Sequence, residues 1–169
     1  MITKVEKVDG KYTERILLDL KYCVGCRSCT IACSMGHHHQ GHTAIAEVKE
    51  IGILPLHCRH CEDPACVPAC PVNAMEKRED GLVKRNNQIC IGCGSCMIAC
   101  PFGSIATGLK KHVPAKCDQC LDRLERGERP RCVTTCVSGA LKFERTATMP
   151  DNVVRVGGRF LGSIGIKRR

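Results

Sequence analysis

Sixteen cysteines in 169 residues fall into four groups of four, and none is left over. The first group is Cys23, Cys26, Cys29 and Cys33, spaced C-x2-C-x2-C-x3-C. The second is Cys58, Cys61, Cys66 and Cys70, spaced C-x2-C-x4-C-x3-C and followed by Pro71. The third is Cys90, Cys93, Cys96 and Cys100, with the first spacing again and Pro101 after it. The fourth is Cys117, Cys120, Cys132 and Cys136, spaced C-x2-C-x11-C-x3-C. Three cysteines on one tight C-x2-C-x2-C loop reach three irons of a cubane, and in two-cluster ferredoxins the fourth ligates the neighbouring cluster. The fourth cysteine is expected to start a helix leading away from that loop. Sixteen thiolates then fill the sixteen iron corners of four 4Fe–4S clusters.

Competing chemistries fit less well. Zinc sites use two C-x2-C pairs, without a third and fourth cysteine packed so closely. A disulfide scaffold needs an oxidising compartment. The N-terminus has no basic segment leading into an apolar one and no twin arginine, and no apolar run approaches the ~18 residues of a membrane span, so a cytoplasmic setting is expected. A cluster acting as a catalyst needs an iron with a labile ligand, and here every iron has a thiolate available, so a non-catalytic protein is expected.

The elements around the cysteines must position them. Aromatic residues are 3% of the chain and Trp is absent, too little for an ordinary core, so bound metal is expected to fix the interior. Gly25, Gly92 and Gly94 allow tight ligand loops whose amides turn toward sulfur. Val24, Ile31, Val67, Ile91, Ile98 and Val133 are candidates to shield the clusters from water. Asp80-Gly81 signals a hairpin with strands at about 75–78 and 82–85. LDRLERGERP reads as a short helix ended by Gly127 and Pro130.

The fold class expected is α+β: two bacterial ferredoxin-like, βαββαβ-related units, one inserted in the other. The hairpin ties the second and third runs into an inserted unit at 52–108. The first and fourth runs form the outer unit, 13–51 with 109–145. An alternative pairs neighbouring runs, first with second and third with fourth, and spacing alone admits both. On the nested reading one cluster takes Cys23, Cys26, Cys29 and Cys136, and the second takes Cys33, Cys117, Cys120 and Cys132. The third takes Cys58, Cys61, Cys66 and Cys100, and the fourth Cys70, Cys90, Cys93 and Cys96.

The formal charge of +9 suggests a nucleic-acid footprint until the clusters are counted. Sixteen thiolates and four oxidised cores bring the sum to about +1, so the basic excess reads as counter-charge and no nucleic-acid partner is expected. His37, His38 and His39 read as a polar loop rather than a metal site, and His57 or His60 as candidate donors to sulfur. The tail 146–169 holds Val153, Val154, Phe160, Leu161 and Ile164, and reads either as a flexible terminus or as an arm that docks on a partner.

CRHCEDPACVPACPVNAM and KCDQCLDRLERGERPRCVTTCVSGAL resemble the second and fourth runs of the four-cluster ferredoxin-like electron-transfer subunits. That family serves molybdenum and tungsten bis-pterin oxidoreductases, such as formate dehydrogenase and dimethyl sulfoxide reductase. It also serves hydrogenase, carbon monoxide dehydrogenase and aldehyde ferredoxin oxidoreductase complexes of anaerobic metabolism. The resemblance covers about residues 15–145 and supports the nested pairing. It implies a linear chain of clusters linking a catalytic subunit, of tungsten or molybdenum pterin type, to a donor or acceptor subunit or a ferredoxin. The short chain, without a membrane anchor, favours a partner of aldehyde ferredoxin oxidoreductase, benzoyl-CoA reductase or carbon monoxide dehydrogenase type. The alternatives are a free polyferredoxin shuttle or the electron-transfer protein of a carbon monoxide dehydrogenase or hydrogenase complex. Ser34 and Val137 depart from the family's usual proline after the fourth cysteine.

Overall fold

The computed structural model describes residues 5–19, 21–37, 44–48, 52–107, 114–145, 155–156 and 159–160; for 44–48, 52–54, 107, 155–156 and 159–160 it describes the backbone alone. His38, His39 and most of the tail, including Val153, Val154, Leu161 and Ile164, lie outside the described residues.

The strands pair as short antiparallel ribbons of two. β1 (Glu14–Leu18) pairs with β8 (Leu141–Arg145), placing Ile16 opposite Phe143. Alternation fixes the face of β8: Leu141 and Phe143 turn inward while Lys142 and Glu144 face solvent. β2 (Ala44–Val48) pairs with β3 (Gly52–Leu56), and β6 (Ile105–Thr107) with β7 (Pro114–Lys116). The expected unit boundaries, 51/52 and 108/109, therefore fall in the connections of these two ribbons. β9 (Arg155–Val156) pairs with β10 (Arg159–Phe160).

The expected hairpin is present as β4 (Met75–Lys77) and β5 (Val83–Arg85). Its loop is one residue longer than a two-residue Asp-Gly turn. Gly81 N–H donates to Arg78 O at 3.0 Å, Arg78 N–H donates to Leu82 O at 2.8 Å, and Gly81 alone takes the left-handed region at φ 81°. Asp80 keeps the loop in this form by accepting from Leu82 N–H at 3.1 Å and pairing with Arg78 at 2.9 Å.

Among the described residues, four short helices lie beside the cysteines: α1 (Ser28–Gly36), α2 (Ser95–Ala99), α3 (Leu121–Leu124) and α4 (Arg131–Thr134). α3 matches the expected short helix, with Gly127 at φ 73° beyond its end and Pro130 capping α4. The helices differ from expectation in where they begin. In runs one, three and four the helix starts just before the third cysteine, and the fourth cysteine lies inside it or just past its end.

This placement explains a correction to the shielding residues. In α1, Cys29 and Cys33 are four residues apart and share the buried face, so Ile31, two residues from each, lies opposite and is 56% exposed. Ile98 stands in the same relation to Cys96 and Cys100 and is 90% exposed. Val24 and Ile91 also face solvent, whereas Val67 and Val133 do pack against core residues.

Among the described residues, three apolar clusters organise the interior. Val5, Tyr12, Leu82, Leu121, Leu124 and Phe143 form one, so Leu82, just past the hairpin turn, packs among α3 and β8 residues. Tyr12 N–H donates to Asp80 O at 3.0 Å, holding the turn against the approach to β1. A second cluster joins Met75, Val83, Cys96 and Ile105, with Cys66, Cys70 and Cys100 beside them. The third joins Cys29, Cys132 and Leu141, with Cys136 beside them. In the last two, cysteines supply much of the packing surface.

Candidate iron–sulfur centres

The fold brings together cysteines that the sequence holds far apart. One open cleft is lined by Cys23, Cys26, Cys29 and Cys136. Another is lined by Cys70, Cys90, Cys93 and Cys96. Among the remaining sulfurs, Cys132 lies within electrostatic reach of Cys120, Cys33 and Cys29, Cys117 of Cys58 and Cys132, and Cys66 of Cys58 and Cys100. None of the sixteen is in a disulfide.

Burial makes these thiols poor acids on their own. It pushes Cys66 up to about 11, Cys117 and Cys132 far above the usual thiol range, and Cys29, Cys96 and Cys120 upward as well. A buried thiolate needs a cation in contact, and iron supplies one, so the donor set fits metal–sulfur clusters. At the surface the opposite holds. The Ser28 and Ser95 hydroxyls, each 3.4 Å from sulfur, draw Cys26 and Cys93 below the usual range. With sulfur as thiolate these hydroxyls are the donors. The two sites occur in matching Cys-x-Ser-Cys segments of the first and third runs.

Backbone amides complete the sulfur environment. Ala74 N–H donates to Cys70 Sγ at 3.2 Å, Leu141 N–H to Cys136 Sγ at 3.4 Å, and Gln119 N–H to Cys117 Sγ at 3.4 Å. Gly25, Gly92 and Gly94 take the expected left-handed turns, at φ 65°, 71° and 79°. At the place of Gly94, just before α1, stands Arg27 at φ 60°, an uncommon conformation for a residue with a Cβ.

Cationic side chains stand beside the sulfurs, as the counter-charge argument requires. Arg15 is within electrostatic reach of Cys58 and Cys61, Arg59 of Cys61 and Cys100, and Arg85 of Cys90 and Cys96. Arg59 also stacks on Phe102, 4.1 Å from the ring centre. Lys116, buried, lowers Cys66 and donates to the carbonyls of Val83 and Cys117.

The histidines depart from expectation. His60 is 2% exposed, and its Nδ1 accepts the Val83 N–H at 2.9 Å, so that nitrogen serves the hairpin and not a sulfur. Burial holds His57 down to about 4, as a neutral ring. His37, read from sequence as loop, places Nε2 3.8 Å from Cys120 Sγ and 3.7 Å from Asp118 Oδ1. No spacing rule links residues 83 apart, so sequence carried no signal for it.

Residues 49–146, more than half of the chain, match the 4Fe-4S dicluster domain, and residues 15–77 match a second family of the same description. The chain belongs to the 4Fe–4S dicluster family. This dicluster protein is 38% identical over 150 residues to a tetrathionate reductase subunit of Salmonella typhimurium, covering 80% of its own length and 60% of that relative. It is 35% identical over 144 residues to a component of the anaerobic dimethyl sulfoxide reductase of Escherichia coli, covering 75% of its own length and 70% of the relative. It is 38% identical over 140 residues to the putative electron transport protein YsaA of Escherichia coli, covering 75% and 87%. Among solved structures it is similar to the active site complex BamBC of benzoyl coenzyme A reductase, at 22% identity and a TM-score of 0.43, with 78% of each chain covered. Two dicluster matches and sixteen cysteines give the dicluster protein four 4Fe–4S clusters. Among the described residues, no helix is long and apolar enough to cross a membrane.

Proposed function

We propose that the dicluster protein is the electron-relay subunit of an oxidoreductase complex, passing single electrons between a catalytic subunit and a second carrier. The observation that carries this reading is that two separate clefts are each lined by four cysteines, and the other eight cysteines are all buried or half-buried. Each 4Fe–4S cluster, when bound, exchanges one electron without making or breaking bonds to a substrate. The protein's own part is spacing, burial and hydrogen bonding. The relatives named as subunits of tetrathionate and dimethyl sulfoxide reductases support the role.

The ligand sets we assign are the nested ones. Cys23, Cys26, Cys29 and Cys136 hold the first cluster, and Cys33, Cys117, Cys120 and Cys132 the second. Cys58, Cys61, Cys66 and Cys100 hold the third, and Cys70, Cys90, Cys93 and Cys96 the fourth. The two clefts, the packing of α1 against α4 and the β1–β8 pair favour this over neighbour pairing. The outer unit is then 13–51 with 109–145, and 52–108 is inserted, tied to it through the β2–β3 and β6–β7 ribbons.

The order along the relay follows from the sulfurs that face across sets. Cys132 lies within reach of Cys29, Cys117 of Cys58, and Cys66, Cys70, Cys96 and Cys100 border one core. Electrons therefore run through the first, second, third and fourth clusters in line. At the two ends, Val24 and Ile91 line the clefts yet are 73% and 65% exposed, which suits surfaces covered by partner subunits. The partner we favour is a molybdenum or tungsten pterin subunit of the reductase type named among the relatives. A tungsten aldehyde-type partner remains the narrower form of the proposal. A cytoplasmic setting, where thiols stay reduced, suits sixteen cysteines outside any disulfide. Purification of the native complex, with metal analysis for molybdenum, tungsten and nickel, tests the proposal. A protein isolated alone at native levels would favour the shuttle instead.

A further inference from the structure

Cys120 stands among polar side chains drawn from two distant parts of the chain. Its sulfur is approached by two nitrogen-bearing side chains brought from different parts of the chain, His37 and Arg131. His37 Nε2 lies 3.8 Å from Cys120 Sγ and 3.7 Å from Asp118 Oδ1. Both neighbours of that nitrogen are acceptors once sulfur is a thiolate. A bare Nε2 there would set three lone-pair centres against one another, so Nε2 carries the proton and donates. Arg131 reaches the Cys120 sulfur with its backbone N–H and, more weakly, with its side chain.

Arg131 is held in place for this. Its two terminal nitrogens donate to the two carboxylate oxygens of Asp122 at 2.9 and 2.6 Å, a bidentate fork. Arg126 adds a longer pair to the same carboxylate at 3.6 Å. Gly36, the last residue of α1, makes room on the other side: a Cβ there would collide with Cδ and Nε of Arg131. The side chain is mostly covered, at 23% exposure, so its charge is not fully screened.

We propose that His37 and Arg131 are redox-tuning residues that raise the reduction potential of the cluster bound by Cys120. The inference rests on Cys120 being a cluster ligand, and not on which three cysteines complete the set. The physical reason is hydrogen bonding. Reduction adds an electron to an already anionic cluster, and N–H donors on one sulfur stabilise the reduced form more than the oxidised one; the Asp122 carboxylate in the fork offsets part of the Arg131 charge. Arg131 keeps its charge throughout, and His37 needs no change of protonation to act.

The test is EPR-monitored redox titration of the intact complex carrying wild-type protein, Arg131→Gln or His37→Leu, with iron counted in each. Wild type with sixteen irons per chain and four spin systems establishes the ligand reading independently; a lower count in wild type sinks that reading itself. The expected result is that Arg131→Gln lowers one midpoint potential by at least tenfold in the one-electron equilibrium, about 59 mV. His37→Leu lowers the same midpoint by less, and the other three stay in place. Should Arg131→Gln fail to load all its iron, His37→Leu decides alone. Fully loaded variants with all four midpoints unchanged, or with all four shifted together, overturn the inference.

Discussion

His60 and Val83 are joined by a 2.9 Å hydrogen bond, from the backbone N–H of the hairpin strand to Nδ1 of a ring buried in the loop between Cys58 and Cys61. It ties a ligand loop of the second run to the strand that leads into the third. Because Nδ1 accepts, the ring is the Nε2–H tautomer, and burial keeps it neutral, well below its ordinary pKa. His60→Ala leaves the Val83 N–H buried without its acceptor. The expected cost is ~1–3 kcal/mol, read as a lower thermal midpoint of the iron-loaded protein. An unchanged midpoint would show that the bond adds nothing.

Glu14 gives a pH signature of its own. Burial raises its carboxyl above the ordinary value despite Arg129 and Arg145, and Oε2 lacks a hydrogen-bond partner. A raised carboxylate pKa means that the unfolded chain releases its proton first. Stability from this group is therefore complete below the unfolded pKa of 4.5 and is lost as pH rises through the folded value. Glu14→Gln should stabilise the protein at neutral pH by less than ~1 kcal/mol, since the group is only partly out of water. The gain should vanish below the unfolded value. Denaturation midpoints compared at the two pH values check both parts.

The ligand sets predict which cysteine substitutions act alike. Cys26→Ser and Cys136→Ser should alter one and the same EPR component, although the residues are 110 positions apart. Cys33→Ser should alter the component altered by Cys132→Ser. Under neighbour pairing Cys33→Ser would instead perturb the same component as a second-run variant such as Cys61→Ser. EPR spectra of these single variants distinguish the two pairings.

Iron removal should unfold the protein rather than empty it. Cysteines supply much of two of the three apolar clusters, and burial disfavours their ionised form without metal. Anaerobic chelation is expected to abolish the cooperative unfolding transition and to release backbone amides to fast hydrogen exchange. A cooperative transition in iron-free protein would mean that the apolar clusters suffice alone.

Different parts of this architecture were legible in the sequence to different degrees. Ligand loops were readable because three sulfurs on one cubane restrict the spacing of Cys23, Cys26 and Cys29 and of Cys90, Cys93 and Cys96. The hairpin was readable because Gly81 is free to take a positive φ, though Asp80 lengthened its loop by bonding Leu82. The solvent-facing side of Ile31 and Ile98 was not foreseen, because it depends on the helix already running through the third cysteine. His37 and Arg131 beside Cys120 were invisible for a different reason. Their meeting depends on α1 lying against α4 and on a missing Cβ at Gly36, and neither leaves a local pattern.

The β1–β8 ribbon bears on how the protein is made. The β4–β5 hairpin finds both of its strands within a dozen residues, so it can close soon after it emerges from the ribosome. β1 is synthesised early and has no partner until Leu141–Arg145 follows. The contacts of greatest sequence separation form last, because the intervening loop must close before they gain anything. During that interval the first four thiols lack Cys117, Cys120, Cys132 and Cys136, so on the nested reading neither outer cluster has its full ligand set until nearly the whole chain is made.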